Sequence, residues 1–339
     1  MAIRVLSDSI QIGNFKLTET STGLLFDGVA GLGGVLNNAY GYQGSISGYV
    51  AGGRSSLPGL PALNTIDKYP FASDSNATDV GDLASAIGID KTTASSLVSG
   101  YQTGGYNGGP RINDITKFPF AAGGNTSDVG DLTQARNAGA GQSSSVHGYA
   151  SGGAPGNVNV IDKFPFAANA NASDVGDLTN ALGGNHGQSS STHGYNSAGS
   201  NYPNVYNVID RFPFAANANA TDVGDLTVGR YTGAGISSKT HGYVAGGILS
   251  GPLGLTNVIE KFPFAVAAAN ATDVGDIIVN RRLNLSGTSS QVSGYTAGGY
   301  SPGFLNVIEK FPFASDSNSS DVGDLTQGRA STHPEGNQF

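Results

Sequence analysis

One tetrapeptide, Asp-Val-Gly-Asp, occurs six times without change, beginning at Asp79, Asp128, Asp174, Asp222, Asp273 and Asp321. Two further marks keep step with it. Gly-Tyr pairs end at Tyr49, Tyr101, Tyr149, Tyr195, Tyr243 and Tyr295, at intervals of 46 to 52 residues. A Pro-Phe step recurs at Pro70, Pro119, Pro165, Pro213, Pro263 and Pro312. A chain of 339 residues would ordinarily suggest two domains. Sixfold periodicity overrides that expectation, because each copy is one supersecondary unit that buries its apolar face only by stacking on its neighbours.

Each copy divides into four strands. Strand a is a small-residue stretch such as Gly141-Gln142-Ser143-Ser144-Ser145, and a His-Gly or Ser-Gly step such as His147-Gly148 is expected to turn the chain into strand b. Strand b, as in Tyr149-Ala150-Ser151, stops at paired glycines such as Gly152-Gly153. The fourth copy departs here, reading Tyr195-Asn196-Ser197-Ala198-Gly199. Strand c is the Ile161-Asp162-Lys163-Phe164 block, ended by a proline that cannot donate to a central ladder. Strand d begins around Asp-Val-Gly-Asp. Four strands in about fifty residues, repeated six times, predict an all-β, six-bladed β-propeller. Small residues on strand a fit the crowding near the axis, and blades covered on both faces need no strict alternation. Strand a of blade 1 is expected near residues 42–47 and strand d of blade 6 near 321–327, so that each blade is one continuous repeat with no exchanged strand.

Arg136, the small residues after it, Tyr149, Gly152-Gly153 and Val160-Ile161-Asp162-Lys163-Phe164 together resemble a kelch repeat. The resemblance covers about residues 40–329 and departs from the kelch pattern in having no Trp; Asp-Val-Gly-Asp-Leu stands in that place. The Phe-Pro-Phe plus Asp-Val-Gly-Asp-Leu form is similar to kelch-like propellers in tail and appendage proteins of marine phages, notably cyanophages. That resemblance implies a virion location, a structural role in host attachment, and other tail proteins as partners. Residues 1–39 lie outside the repeat and are read as an N-terminal arm of two or three short strands that anchors the disk in an assembly. Residues 330–339 read as a polar tail.

Composition narrows the chemistry. The net charge is −8, with 17 Lys and Arg against 25 acids and no basic run, which argues against nucleic acid as a partner. With no cysteine there is no disulfide, thiolate metal site or thiol catalysis. The first residues lack a signal-peptide core, and no apolar run reaches membrane-spanning length. No phosphate-binding Gly-x4-Gly-Lys-Ser/Thr motif occurs. His147, His193 and His241 share one repeat position, filled elsewhere by Ser47, Ser99 and Ser293, and read as turn residues too far apart for one metal. The six Asp pairs read as structural: Asp174 accepting turn amides and Asp177 pairing locally with Lys163. Asp74, Asn76, Thr78 and Asp82 are similar to a calcium loop, with Asp74 and Asp316 the charged first positions, but Asp79 stands where that loop needs glycine. Asn76-Ala77-Thr78 matches a glycosylation sequon and reads as turn chemistry. No catalytic residue, cofactor or resident metal is expected.

The leading function is therefore a non-enzymatic virion protein whose disk binds another protein or a host-surface glycan. A secreted propeller lectin and a glycan-processing propeller enzyme are the alternatives. The oxidase type of such enzymes requires a cysteine, and no arginine triad of the sialidase type can be placed. The a–b and c–d turns are nearly uniform, whereas the b–c and d–a loops vary and carry Tyr and Arg. Recognition is expected on the varied face. Its contacts are assigned to Tyr106, Arg111, Tyr202, Tyr206, Arg281 and Arg282, with Arg136, His186, Arg230 and Tyr231 on the same class of loop.

Overall fold

A computed structural model describes all residues except 1–2, 6–8, 13–14, 21–22, 28–33, 37–43, 56–61, 85–89, 107–108, 251–253, 266–268, 280–285, 331–332 and 339. For the strands before residue 44 and after residue 330 it describes the backbone alone. The chain forms two compact units, Met1–Gly41 and Tyr42–Phe339. The first is an antiparallel meander of five strands, Ile3–Val5, Ser9–Ile12, Phe15–Thr20, Gly23–Asp27 and Gly34–Leu36, each paired with the one before. This exceeds the two or three strands expected. In sequence, Gly13-Asn14 and Ser21-Thr22 separate the segments that form the second, third and fourth strands.

The second unit is a six-bladed β-propeller of antiparallel sheets, with no helix among the described residues. Blade 3 shows the plan: Ala140–Ser143 is strand a, His147–Ser151 strand b, Val160–Pro165 strand c and Ser173–Asp177 strand d. Inner strands approach so closely that a Cβ on Gly141 would lie 1.7 Å from the Thr93 carbonyl oxygen of blade 2. Glycine is therefore required there. Next to it, Ser95 N–H donates to Ser143 Oγ at 2.9 Å, and the same link joins Ser143 to Ser189, Ser189 to Ser237 and Ser237 to Ser289 at 3.0 Å. Small hydroxylated residues thus hydrogen-bond one blade to the next around the axis.

The a–b turn lies one step earlier than the sequence suggested. Ser144 N–H donates to the His147 carbonyl, and His147-Gly148 already belongs to strand b. Gly148 serves packing instead: a Cβ there would sit 2.3 Å from Cζ of Phe164 in the same blade.

Closure also differs from expectation. His333–Gln338 pairs antiparallel with Ser47–Ala51, so strand a of blade 1 follows blade 6 in sequence, while strands b, c and d of blade 1 are Ser47–Ala51, Thr65–Pro70 and Thr78–Asp82. The residues read as a polar tail are thus an inner strand, and the ring closes by strand exchange. The physical reason is that strand b of blade 1 has an inner edge of unpaired backbone groups, which needs a partner once buried.

Candidate functional site

The repeat motifs do most of their chemistry between blades. Tyr149 stacks on Phe214 of the next blade at 4.9 Å and meets Phe212 at 5.5 Å. Equivalent contacts occur at all six seams, the last joining Tyr295 to Tyr69 and Phe71. Burial pushes the hydroxyl pKa of Tyr149 and Tyr243 up to about 12, so both stay neutral.

Asp-Val-Gly-Asp is a clasp. Asp174 Oδ1 accepts from Gly176 N–H at 3.1 Å, as expected for the first aspartate. Gly176 has φ +151°, and a Cβ on it would lie 2.5 Å from the Ala218 carbonyl oxygen of blade 4. Asp177 N–H donates to Asn219 Oδ1 at 3.1 Å, and its carbonyl accepts from Ala220 N–H at 2.7 Å. The backbone of the second aspartate makes these contacts at every seam. The expected Asp177–Lys163 pair does not form, because Lys163 lies opposite Ser173 in the ladder. Lys163 Nζ reaches forward instead to Asn217 Oδ1 at 2.6 Å. The calcium-loop residues are engaged in the same way. Asp74 accepts from Lys310, Asp316 from Lys261 at 2.6 Å, and Asn76 Oδ1 from Asp324 N–H at 3.0 Å.

A second clasp joins the residues after strand d to strand c of the next blade. Asp162, fully buried, accepts from Thr133 N–H at 3.0 Å, from Thr133 Oγ1 at 2.8 Å and from Arg136 Nη2 at 3.0 Å. Arg230–Glu260 and Arg329–Asp67 repeat the ion pair, both fully buried. Burial lowers the pKa of all three arginines; the neighbouring acids, Asp162 at Arg136 and Asp67 at Arg329, oppose that fall. Arg136 and Arg230 are therefore not loop residues awaiting a partner. The three buried arginines are held in three separate seams, each with its own carboxylate, and do not converge on a ligand as an arginine triad must.

His186, placed with the recognition loops by sequence, is also buried. Its Nδ1–H donates to the Ser197 carbonyl at 2.9 Å, and Nε2 accepts from Gly233 N–H of the next blade at 2.7 Å. Desolvation drives its pKa down to about 4, with Arg230 adding to the fall. His147, His193 and His241 begin strand b of blades 3, 4 and 5, half-buried, with pKa values lowered first by burial and then by nearby Lys163, Arg211 and Lys261. Among the described residues no group of three or more His, Asp or Glu is placed to hold a metal.

Of the six residues assigned to recognition, Tyr106 and Arg111 come together. They form a β-bridge across the b–c loop of blade 2, with the guanidinium 5.2 Å from the ring centroid and Arg111 Nε donating to Asn137 Oδ1 at 2.8 Å. Tyr202 stands alone at the tip of the blade 4 hairpin, 90% exposed. That hairpin is long because strands b and c, His193–Asn201 and Asn204–Pro213, pair to their ends. Tyr206 lies within it, half-buried opposite Gly199. Arg281 and Arg282 lie outside the described residues. In sequence, Arg281 follows Ile277 by four, as Arg136, Arg230 and Arg329 follow Leu132, Leu226 and Leu325.

Sequence reasoning overlooked the opposite face. Ile46, Val98, Val146 and Val292 occupy one position of the a–b turns in blades 1, 2, 3 and 6, and each is exposed. Leu97 adjoins Val98, while Thr192 and Thr240 fill the position in blades 4 and 5. The signal was available in the apolar residue that precedes the His-Gly or Ser-Gly step in four of the six copies. Comparison with known protein families and with curated proteins finds no match for this chain.

Proposed function

We propose that this chain is a non-enzymatic virion component, a kelch-like propeller of a phage tail or appendage that presents its disk to a partner protein or a host-surface glycan. The observation that carries the reading is the division of labour among side chains. The repeated charged groups described above are engaged within or between blades, whereas Tyr202 is 90% exposed at the end of the extended blade 4 hairpin and Arg111 lies against Tyr106 in the varied b–c loop of blade 2. An aromatic ring with a polar tip and an arginine braced on an aromatic face are the groups that recognition surfaces use most. The motif resemblance to cyanophage tail propellers supplies the location, and the −8 charge supports a partner other than nucleic acid.

The test has two arms. Purified particles are analysed for the protein, and attachment is measured for Tyr202→Ala and Arg111→Ala. The expected result is presence in particles, with at least tenfold weaker attachment and a melting temperature within about 2 °C of wild type, as for surface substitutions. Absence from particles sinks the virion reading, and unchanged attachment sinks the assignment of the face. A second reading, a partner on the a–b face, is favoured by the exposed Ile46, Val98, Val146 and Val292. It predicts that Val98→Asp with Val292→Asp abolishes attachment while Tyr202→Ala does not. Sugar binding without hydrolysis would identify the lectin alternative.

A further inference from the structure

Five of the six strand c blocks carry a lysine immediately before the Phe or Tyr of the Pro-Phe step, and blade 4 carries Arg211 there. In four seams this lysine has an oxygen acceptor from the next blade. Lys117 meets Asn169 at 3.2 Å, Lys163 meets Asn217 and Lys261 meets Asp316 at 2.6 Å, and Lys310 meets Asp74 at 2.5 Å. Each acceptor is the third residue after the Phe that follows the proline. At the seam between blades 1 and 2 that residue is Gly123, which has no side chain to offer. Lys68 keeps its place, its ammonium 5.5 Å from the Tyr49 ring centroid, with no oxygen acceptor among the described residues.

A cleft occupies the space of the missing side chain. It measures about 320 Å³ and is lined by Lys68, Val80, Phe120, Ala121, Ala122 and Gly123. The walls are apolar apart from backbone groups, so one cation faces a recess where the other lysine seams place a short side chain ending in oxygen. We propose that this cleft binds a carboxylate on a short stem, an aspartate-like side chain of a partner polypeptide, with Lys68 as its counter-ion. Either acceptor would make a charge-assisted hydrogen bond to Lys68, but a carboxylate adds the Coulomb attraction of a full opposite charge, which grows as apolar walls displace water. The Asp residues of the repeat do not forbid an anion there. Lys68 lies opposite Thr78, next to Asp79, just as Lys261 lies opposite Thr272, next to Asp273, and Lys310 opposite Ser320, next to Asp321; in the last two seams a carboxylate sits against the lysine all the same. The site deepens the reading of the disk as a partner-binding scaffold, but its test does not depend on a virion.

The full chain, labelled with nitrogen-15, is titrated with the capped tripeptide acetyl-Gly-Asp-Gly-amide, with acetyl-Gly-Ala-Gly-amide as the control. The expected result is a saturable shift of the Ala121, Ala122 and Gly123 amide signals with the Asp peptide alone. Lys68→Met should weaken binding at least tenfold. Lys163→Met, at the same repeat position of a seam that Asn217 already fills, should leave it unchanged. Gly123→Asn provides a second variant that keeps Lys68. Asn tolerates the φ of +62° at this position and supplies the acceptor from within, so the peptide response should be lost. The proposal is overturned if wild type shows no saturable shift, if the Ala peptide acts equally, or if Lys68→Met or Gly123→Asn binds as wild type does. Absence of the protein from particles, with this binding intact, would count against the virion reading alone.

Discussion

Acid should weaken this propeller, and among its buried or half-buried imidazoles His186 should carry the largest part. His186 is buried and neutral in the folded chain, with a pKa of about 4, whereas an unfolded histidine titrates near 6.5. Between those values the unfolded chain binds a proton that the folded chain refuses. The stability that neutral His186 provides is therefore complete above about pH 6.5, declines as pH falls through the window, and is lost by about pH 4. Each pKa unit is worth about 1.4 kcal/mol, so the loss between pH 7.5 and 4.5 is about 2.5 kcal/mol. The suitable perturbation is His186→Ala, since Ala140 and Ala234 hold this position in the flanking blades. At pH 7.5 the variant leaves Gly233 N–H without its acceptor, which should cost about 1–3 kcal/mol. Urea unfolding followed by tyrosine fluorescence gives the free energies; the chain has 14 Tyr and no Trp. Asp210, whose pKa burial raises, contributes with the opposite sign but is common to both proteins and cancels in the difference. The gap between wild type and variant should close, or reverse, as pH falls to 4.5. A gap that stays constant across the range refutes the reasoning.

Gly176→Ala should destabilise by about 2–4 kcal/mol, because the new Cβ meets the Ala218 carbonyl at 2.5 Å and the φ of +151° strains any other residue; thermal unfolding checks this. Arg136→Leu should cost about 3–5 kcal/mol by stranding the buried Asp162, and adding Asp162→Asn should recover part of the loss in a double-mutant cycle. Removing residues 331–339 should lower the melting temperature and expose a strand edge, and a synthetic peptide of those residues added in trans should restore it.

Much of the fold was legible because the repeat is strict. Asp-Val-Gly-Asp, Gly-Tyr and Phe-Pro-Phe counted the blades and ordered their strands. What a single sequence did not carry was the pairing of those motifs across seams. Tyr149 lies about 65 residues from Phe214, and nothing in either copy names the other. The charged residues after strand d looked like loop variety because their acids, Asp67, Asp162 and Glu260, sit in a different blade. The closing strand did have a signal. Gly328-Arg329-Ala330 parallels Gly229-Arg230-Tyr231, which leads into a strand a, so six Asp-Val-Gly-Asp blocks are followed by the start of one more unit. The departure at the seam between blades 1 and 2 was equally readable in retrospect: Ala84 and Thr116 replace the Thr and acid of the second clasp, and Thr116 Oγ1 is buried with no partner among the described residues.

Strand exchange also sets the order in which the protein can become itself during synthesis. Residues 47–82 of blade 1 emerge early, but their innermost neighbour, His333–Gln338, is made about 250 residues later. At ~5–20 residues per second, the first blade waits about 12–50 s with strand Ser47–Ala51 lacking its inner partner. Over that interval the nascent ring is an open arc with an exposed, pairing-competent edge. Two chains growing side by side on one messenger would each hold that edge open over the same interval, so ribosome spacing sets the opportunity for closing strands to be traded between copies.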